Sequence, residues 1–590
     1  MPSLELDPIR PRASFSSPED VTELVDTLGR FERGEIDADA WRAFHLVGGV
    51  YPQRDGEGHM LRVKVPEGAL TAPQLVAIAD VAERFSRGFG HVTTRQNVQL
   101  HFVARADLPA AVARLAEAGI TTREACGNAV RNVTLCAWAG VAPDETFDPT
   151  PYAEAVTRHF LRHPLASSLP RKFKIAFEGC ARDHAALGIQ DLGFRAIVRE
   201  GRRGFRVNVA GGTATVPVSG AVLFDFLPAA EVISLAEAVL RLFHARGNRA
   251  DRSKARLKFL VKTLGWEGFR AAVFEALGEV RAEGGVRLPF EPEQPPVEEA
   301  PSWPRPEAPS PAAIAARVAA GVVQGPGLLP VPAAPSPFAS WRKTNVRPQR
   351  QPGYAAVSVT LPLGDVTGTQ LRVLAELAQA HGDGQARLTE DQDLVLRWVP
   401  ETELLALHAG LAAAGLALDG AHGIADVTSC PGAETCRLAV TESRGLGRAL
   451  AAHLRESPLA ALAPDLELKV SGCPNGCGRH HVAGIGFQGS ARKLDGRALP
   501  QYFVLVGGGV DDAGARFGRL AAKIPARRVT AALDRLLELY GRERQEGETA
   551  AAFFARVDIT PARAALADLA ELAPENAQPN DFLDLTGSEP

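Results

Sequence analysis

Residues 61–120 align without a gap on residues 357–416 at a constant offset of 296, with about 20 of the 60 positions identical. A repeat of that length means that the chain forms the unit encoded by the first segment twice. Each copy carries an alternating strand pattern (LRVKV, VSVTL), a glycine turn and a helical period (APQLVAIADVAERF, GTQLRVLAELAQAH). A second strand pattern (NVQLHFV, DLVLRWV) and a Leu/Ala-rich helix complete it. The order predicts a βαβ-type α+β half-domain occurring twice, each followed by a longer α/β segment. A chain of 590 residues exceeds a single core and suits about four units.

The expected division is an N-terminal extension over 1–45, a half-domain over 46–120 and an α/β domain over 121–287. A linker over 288–345, a second half-domain over 346–416, a second α/β domain over 417–545 and a C-terminal segment over 546–590 follow. Proline is dense in 288–312 and 326–338, which predicts an extended connector rather than a core element. The polar, acidic stretch 571–590 is expected to be mobile.

A formal charge of −4 gives no global pull toward nucleic acid or membrane, so any anion site must be a local concentration of cations. No run of about 18 apolar residues occurs, and MPSLELDPIRPRASFSSPEDV lacks an apolar signal core, so neither a membrane span nor a secretory leader is expected. Seven cysteines, an odd number, are too sparse for a secreted disulfide scaffold and imply reduced thiols in the cytoplasm.

Four of the seven fall within 48 residues. Cys430-PGAET-Cys436 and Cys473-PNG-Cys477 are two pairs separated by 36 residues, each flanked by Pro or Gly. Four thiolates on turns suit an iron–sulfur cluster or a structural zinc, although five intervening residues is a loose spacing for zinc. The glycines in SGCPNGCGRH permit close backbone approach and free amides to donate to sulfur. Cys126, Cys136 and Cys180 show no pairing pattern and read as buried thiols.

Lysine supplies only 10 of the 65 basic residues, yet two occur in RKFKIAF, where Lys172 and Lys174 share the strand face opposite Phe173, Ile175 and Phe177. Arg62 and Lys64 share a face of LRVKV. Read as one strand, TTRQNVQLHF lines Thr93, Arg95, Asn97, Gln99 and His101 on one face, about 20 Å from Arg95 to His101. In the second copy Arg62, Lys64 and Arg95 become Ser358, Thr360 and Asp391, while Gln99 and His101 become Val395 and Arg397. A merely solvated face has little reason to lose all three of those cations. The first half therefore reads as the anion-holding half, and the second as the thiol-bearing half.

C-x5-C paired with GCPNGCGR, together with TTRQNVQ, RNV at 131–133 and LPRKFK at 169–174, resembles the sirohaem-dependent sulfite and nitrite reductases over about 45–545. The resemblance implies two ferredoxin-like half-domains and two larger α/β domains that carry sirohaem and a [4Fe–4S] cluster. Cys430, Cys436, Cys473 and Cys477 would hold the cluster, with Cys477 bridging to sirohaem. Arg62, Arg131, Lys172 and Lys174 would surround the substrate; Thr93, Arg95, Gln99 and His101 would meet sirohaem carboxylates. His91 stands where some relatives have Arg, and Asn475 and Arg479 are candidates for cofactor contact. The implied reaction is six-electron reduction of sulfite to sulfide, or of nitrite to ammonia, chemistry that no side chain supplies. Nitrite reductases of the family commonly have Asn at the position of Lys174, which favours sulfite. No dinucleotide fingerprint is present, and GGTATVP and VGGGV read as turns, so electrons are expected from a separate ferredoxin or flavoprotein. A zinc-stabilised protein that binds an acidic partner is the competing reading, and a cofactor-bearing oxidase of cobalamin precursors a further one.

Overall fold

A Thr-x-x-Gln signature opens a helix in both copies. Gln74 and Gln370 each accept a hydrogen bond from the backbone N–H of Thr71 and Thr367, at 3.0 Å in both cases, and start the helices Ala72–Phe85 and Gly368–His381. In the computed structural model, which describes residues 11–325, 334–573, 575 and 577–585, these two helices pack together in one core shared by both half-domains. Leu75, Ile78, Leu374 and Ala378 are all fully buried there, and each large aliphatic contributes roughly 1.5–3 kcal/mol. Arg372 of the second helix bonds Asp80 and Glu83 of the first at 2.5 and 2.8 Å.

The duplication extends to backbone detail. Left-handed φ values recur at the 296 offset in Glu67 and Leu363, Gln96 and Gln392, and Phe102 and Trp398. A bulge between His59 and Leu61 recurs between Ala355 and Val357.

Each half-domain has a five-stranded antiparallel sheet whose last strand comes from the other copy. Val50–Pro52, His59–Val63, Val98–Val103 and Phe89–Val92 are completed by Asp365–Thr367, with Asp365 opposite His91. Val346–Pro348, Tyr354–Val359, Leu394–Pro400 and Gln385–Leu388 are completed by Ala69–Thr71, with Leu70 opposite Ala386. The exchange covers one edge of each sheet, where unpaired N–H and C=O groups would otherwise remain.

Three sequence expectations about strands change. Phe89–Val92 and Val98–Val103 form a hairpin where the repeat pattern shows one strand. TTRQN is its turn, closed by Thr93 N–H donating to the Asn97 carbonyl at 2.8 Å, so Arg95 sits at the tip and no 20 Å strand face runs from Arg95 to His101. A left-handed residue, Gln96, makes the reversal, and polar residues within an alternating pattern conceal it. The regular strands also stop short of the lysines. Lys172 and Lys174 precede Ile175–Glu178, flanking Phe173 in a single bridge to Val130, and Lys64 follows His59–Val63 in a bridge to Thr121.

The α/β domains repeat one layout. In the first, Thr134–Leu135, Ile175–Glu178 and Leu192–Arg199 run parallel before Arg202–Val209 and Ala221–Pro228 turn antiparallel. In the second, Thr428–Ser429, Leu468–Ser471 and Ile485–Leu494 are parallel, and Arg497–Val506 and Arg519–Pro525 antiparallel. Helices Val232–Arg246 and Trp266–Ala282 bury the first sheet, and Val529–Glu543 and Ile559–Ala570 the second. The parallel strands end on the loops that carry the cysteines.

Two connecting segments are more ordered than their composition predicts. Within the linker, Pro311–Ala320 is a helix whose Ile314 is fully buried in the shared core, and Phe338–Asn345 buries Trp341. Apolar residues between the prolines anchor it, while residues 326–333 of the expected connector lie outside the described residues. In the C-terminal stretch, of which 574, 576 and 586–590 lie outside the described residues, the segment around 581–584 docks as well. Asp581 pairs with Arg528 at 2.6 Å, and Asp584 accepts from Glu442 N–H at 2.8 Å, so two acidic residues find partners on the second α/β domain. Among the described residues no helix is long and apolar enough to cross a membrane.

Candidate functional site

Cys430 follows Thr428–Ser429 directly, and Cys473 lies two residues beyond Leu468–Ser471, so two adjacent parallel strands deliver the two cysteine loops to one place. The loops are tight. A Cβ on Gly478 would meet the Val470 carbonyl at 2.0 Å, and Gly476 has a φ of +67°, which favours glycine. Gly472 N–H donates to Cys430 Sγ at 3.3 Å, and Asn475 Nδ2 to Cys473 Sγ at 3.5 Å. Burial, followed by the neighbouring Cys477, pushes the Cys430 thiol up to about 12, and burial also raises Cys436 and Cys473.

Thiols raised in this way ionise together only against strong positive charge, which a metal centre supplies. No three of the four sulfurs lie within 4.8 Å of one another. A single tetrahedral zinc sets sulfurs about 3.8 Å apart, given Zn–S bonds of about 2.3 Å, whereas a multi-iron cluster takes its four thiolates on a wider frame.

Two cations from the first half, Arg62 and Lys172, feel the charge of Cys477. Burial lowers the Arg62 pKa, and Cys126, Tyr51, Cys477 and Cys436 more than restore it. Burial brings Lys172 down to about 7; Cys477 opposes the shift, while Arg256, Arg131 and Arg171 add to it. Lys174 lies well below the usual lysine range through burial, then Arg95, Arg256 and Lys172. Among the described residues, Arg62, Arg95, Arg131, Lys172 and Lys174 have no ion-pair partner within 4.0 Å. The nearby carboxylates are already used: Asp191 pairs with Arg256 at 2.8 Å, and Glu390 with Arg479 at 2.5 Å. A half-buried cluster of unpaired cations is costly by itself and is completed by an anion. Both ring nitrogens of buried His101 and Nε of Arg95 also lack partners. A polycarboxylate macrocycle fits this donor set.

Some expected contacts are already committed elsewhere. Thr93 Oγ1 accepts from Arg95 and Asn97 N–H at 3.3 and 3.2 Å and so closes its own turn. Arg95 donates to Gln190 at 2.8 Å and to the Asn132 carbonyl. Gln99, in the amide orientation that satisfies both groups, accepts from Arg62. His91 bonds Asp365 at 3.0 Å and Gln392 at 3.1 Å, which holds the exchanged strand. Arg479 pairs the GCPNGCGR loop with Glu390 of the second half-domain and straps it to the first half through the Thr94 carbonyl at 2.6 Å. Lys64 turns away to Glu124 at 3.7 Å. Arg131 donates to the Gly127 and Ala125 carbonyls, neutral acceptors that orient it without cancelling its charge.

Sequence reasoning missed Arg256 and its partner Asp191. The signal was the second lysine-bearing alternation, ARLKF, in which Lys258 donates to the Thr213 carbonyl at 2.8 Å. That bond holds GGTATVP, whose Thr213 borders Gly476 of the cysteine loop.

Comparison with known proteins finds two family models, each matching the chain twice. The family model for the nitrite/sulfite reductase ferredoxin-like half domain matches residues 51–118 and 347–414. The model for the nitrite and sulphite reductase 4Fe-4S domain matches 126–280 and 420–571. Sulfite reductase [ferredoxin] 1 of Mycolicibacterium paratuberculosis is 30% identical over 507 residues, 85% of this chain and 82% of that protein. Ferredoxin--nitrite reductase of Synechococcus elongatus is 30% identical over 461 residues, 76% of this chain and 80% of that protein. The structure of the Mycobacterium tuberculosis NirA protein superposes with a TM-score of 0.73 at 28% identity, covering 92% of this chain and 97% of that one. With both domain models matched twice, in the order that the duplication dictates, the chain belongs to the sirohaem- and [4Fe–4S]-dependent nitrite and sulfite reductase family.

Proposed function

We propose that the chain reduces sulfite to sulfide with six electrons, using Arg62, Arg131, Lys172 and Lys174 to bind the anion and move protons. The carrying observation is the group of half-buried cations without carboxylate partners, two of which, Arg62 and Lys172, feel the charge of Cys477. Sirohaem and the [4Fe–4S] cluster, the latter on Cys430, Cys436, Cys473 and Cys477, supply the electron transfer when bound. Arg62 and Arg131 hold charge, because guanidinium does not release its proton near neutrality. Lys172, with a pKa near 7, exchanges a proton at Nζ at working pH, and burial with the neighbouring cations holds Lys174 well below the usual lysine range. Thr93, Gln99, His101, Asn475 and Arg479 would act around the cofactors as positioning groups, and Arg95, whose Nε lacks a partner, would meet macrocycle carboxylates.

Lys174 favours sulfite, since an extra cation suits the more highly charged anion; nitrite is the second substrate, consistent with the names of the relatives. Those names also support a ferredoxin as donor, acting with the chain in the cytoplasm, where thiols remain reduced. The test is steady-state turnover of both anions with a reduced artificial donor. Sulfite kcat/KM should exceed that for nitrite, and turnover of neither anion by enzyme showing full cofactor absorbance would end the proposal.

A further inference from the structure

The first α/β domain repeats the cluster-binding strands of the second, and its ligand positions are not blank. Thr134 pairs in parallel with Ala176 and Leu135 with Phe177, as Thr428 pairs with Lys469 and Ser429 with Val470. Cys136 N–H donates to the Phe177 carbonyl at 3.2 Å, as Cys430 N–H donates to Val470 at 3.3 Å. Cys136 therefore occupies the place of Cys430. Two residues past their strands, Gly-Cys180-x3-His184 occupies the place of Gly-Cys473-x3-Cys477. Of the four cluster ligands, one has no counterpart able to bind metal, because the spacing of Cys436 falls on Ala142. Glu178 stands instead where the second half has Ser471.

These groups lie close together. Cys136 Sγ is 3.6 Å from Cys180 Sγ and 3.4 Å from His184 Nδ1, and Glu178 Oε2 is 3.8 Å from His184 Nδ1. One ligand atom from each of the four lies within 4.8 Å of the others, the compactness that the Cys430–Cys477 set lacks. Tetrahedral zinc, with bonds of about 2.3 Å to sulfur and about 2.1 Å to nitrogen, sets S···S near ~3.8 Å and S···N near ~3.6 Å. Glu178 is fixed by N–H groups of Cys180, His184 and Ala185 at 2.8, 2.6 and 3.0 Å, so the carboxylate stays beside the sulfurs. Arg195 holds the same loop through the Cys180 and Ala181 carbonyls. The His184 side chain is 21% exposed, which leaves an ion a route in.

We propose that Cys136, Cys180 and His184, with Glu178 alongside, bind one divalent ion of the zinc class at the pseudo-symmetric counterpart of the iron–sulfur site. Two thiolates and an imidazole select a borderline-soft ion over magnesium or calcium. Bound there, it ties the loop after Thr134–Leu135 to the loop after Ile175–Glu178, independently of which anion the enzyme reduces.

The test equilibrates purified holoenzyme with excess Zn2+, removes free metal and measures zinc and iron together, with X-ray absorption at the zinc edge. The expected result is one tightly held zinc per chain with two sulfur neighbours. Cys180→Ser and His184→Ala should each lose it at unchanged iron content and cofactor absorbance. Absence of retained zinc, zinc without sulfur neighbours, or a Cys136–Cys180 disulfide in the unreduced protein overturns the proposal, as does full zinc retention by both variants. Should the variants fail to fold, the wild-type stoichiometry and absorption spectrum decide the matter alone.

Discussion

Arg444→Met removes the cation that joins the exchanged strand to a cysteine loop. Arg444 bonds Asp365, the first residue of the strand that crosses into the first half's sheet, and Glu434, between Cys430 and Cys436. The Arg444 and Asp365 side chains are each 4% exposed, and Glu434 is 11%. Methionine preserves most of the volume and takes the guanidinium away from buried Asp365, which keeps His91, and from half-buried Glu434; breaking the buried pair costs about 3–5 kcal/mol. Burial raises the Asp365 pKa, but Arg444, then His91, hold it below the usual carboxylate range. In the wild type this pairing contributes stability above the unfolded pKa, about 4, and the contribution is lost as pH falls through the lowered folded value. In Arg444→Met burial dominates and the folded pKa rises, so the penalty grows with pH and shrinks on acidification toward pH 5. Denaturant unfolding at pH 5 and pH 8, with hydrogen exchange at the Val366 and Thr367 amides, measures it. Adding Asp365→Asn should recover part of the loss at pH 8. A penalty below about 1 kcal/mol at pH 8, or an equal penalty at both pH values, refutes the reasoning.

Lys172→Met should reduce turnover at saturating sulfite by about 10²-fold or more with a smaller change in KM, and retained turnover with lost affinity would reverse the assigned role. Because the protonated fraction of a lysine with a pKa near 7 falls from about 90% at pH 6 to about 10% at pH 8, wild-type turnover should decline over that interval. Lys172→Arg should flatten the decline. Gln96→Ala strips bonds from the Leu135 and Leu388 carbonyls, at 2.7 and 2.8 Å, and from Leu135 N–H at 3.0 Å, so unfolding measurements should show a loss of about 2–4 kcal/mol. Gln392→Ala should behave alike, since Gln392 serves the Val92 carbonyl and Ser429 N–H, both at 2.7 Å. Lys174→Asn should raise the nitrite-to-sulfite ratio of kcat/KM about tenfold, as measured with one artificial donor for both anions.

The amino-acid sequence by itself determined the duplication, the paired helices and the grouping of four cysteines. These are properties of near neighbours along the chain: a 3.6-residue period, a Thr-x-x-Gln cap, a thiol spacing. It also marked Arg62, Lys172 and Lys174, because scarce lysines and an unlike second copy leave a pattern in one dimension. It misread TTRQN as strand, since a single left-handed Gln96 reverses a chain whose residues otherwise alternate. Only the tertiary structure decided that Asp365–Thr367 and Ala69–Thr71 change places, that Asp191 neutralises Arg256 and not the lysines, and that Ile314 anchors the proline-rich segment. The same holds for Cys136, Cys180 and His184, which read as unrelated until parallel strands bring residues 44 and 48 positions apart to within 3.6 Å. Such pairings depend on which surfaces meet after the halves assemble, and the free energy that selects them comes from burial shared by both copies rather than from any local signal.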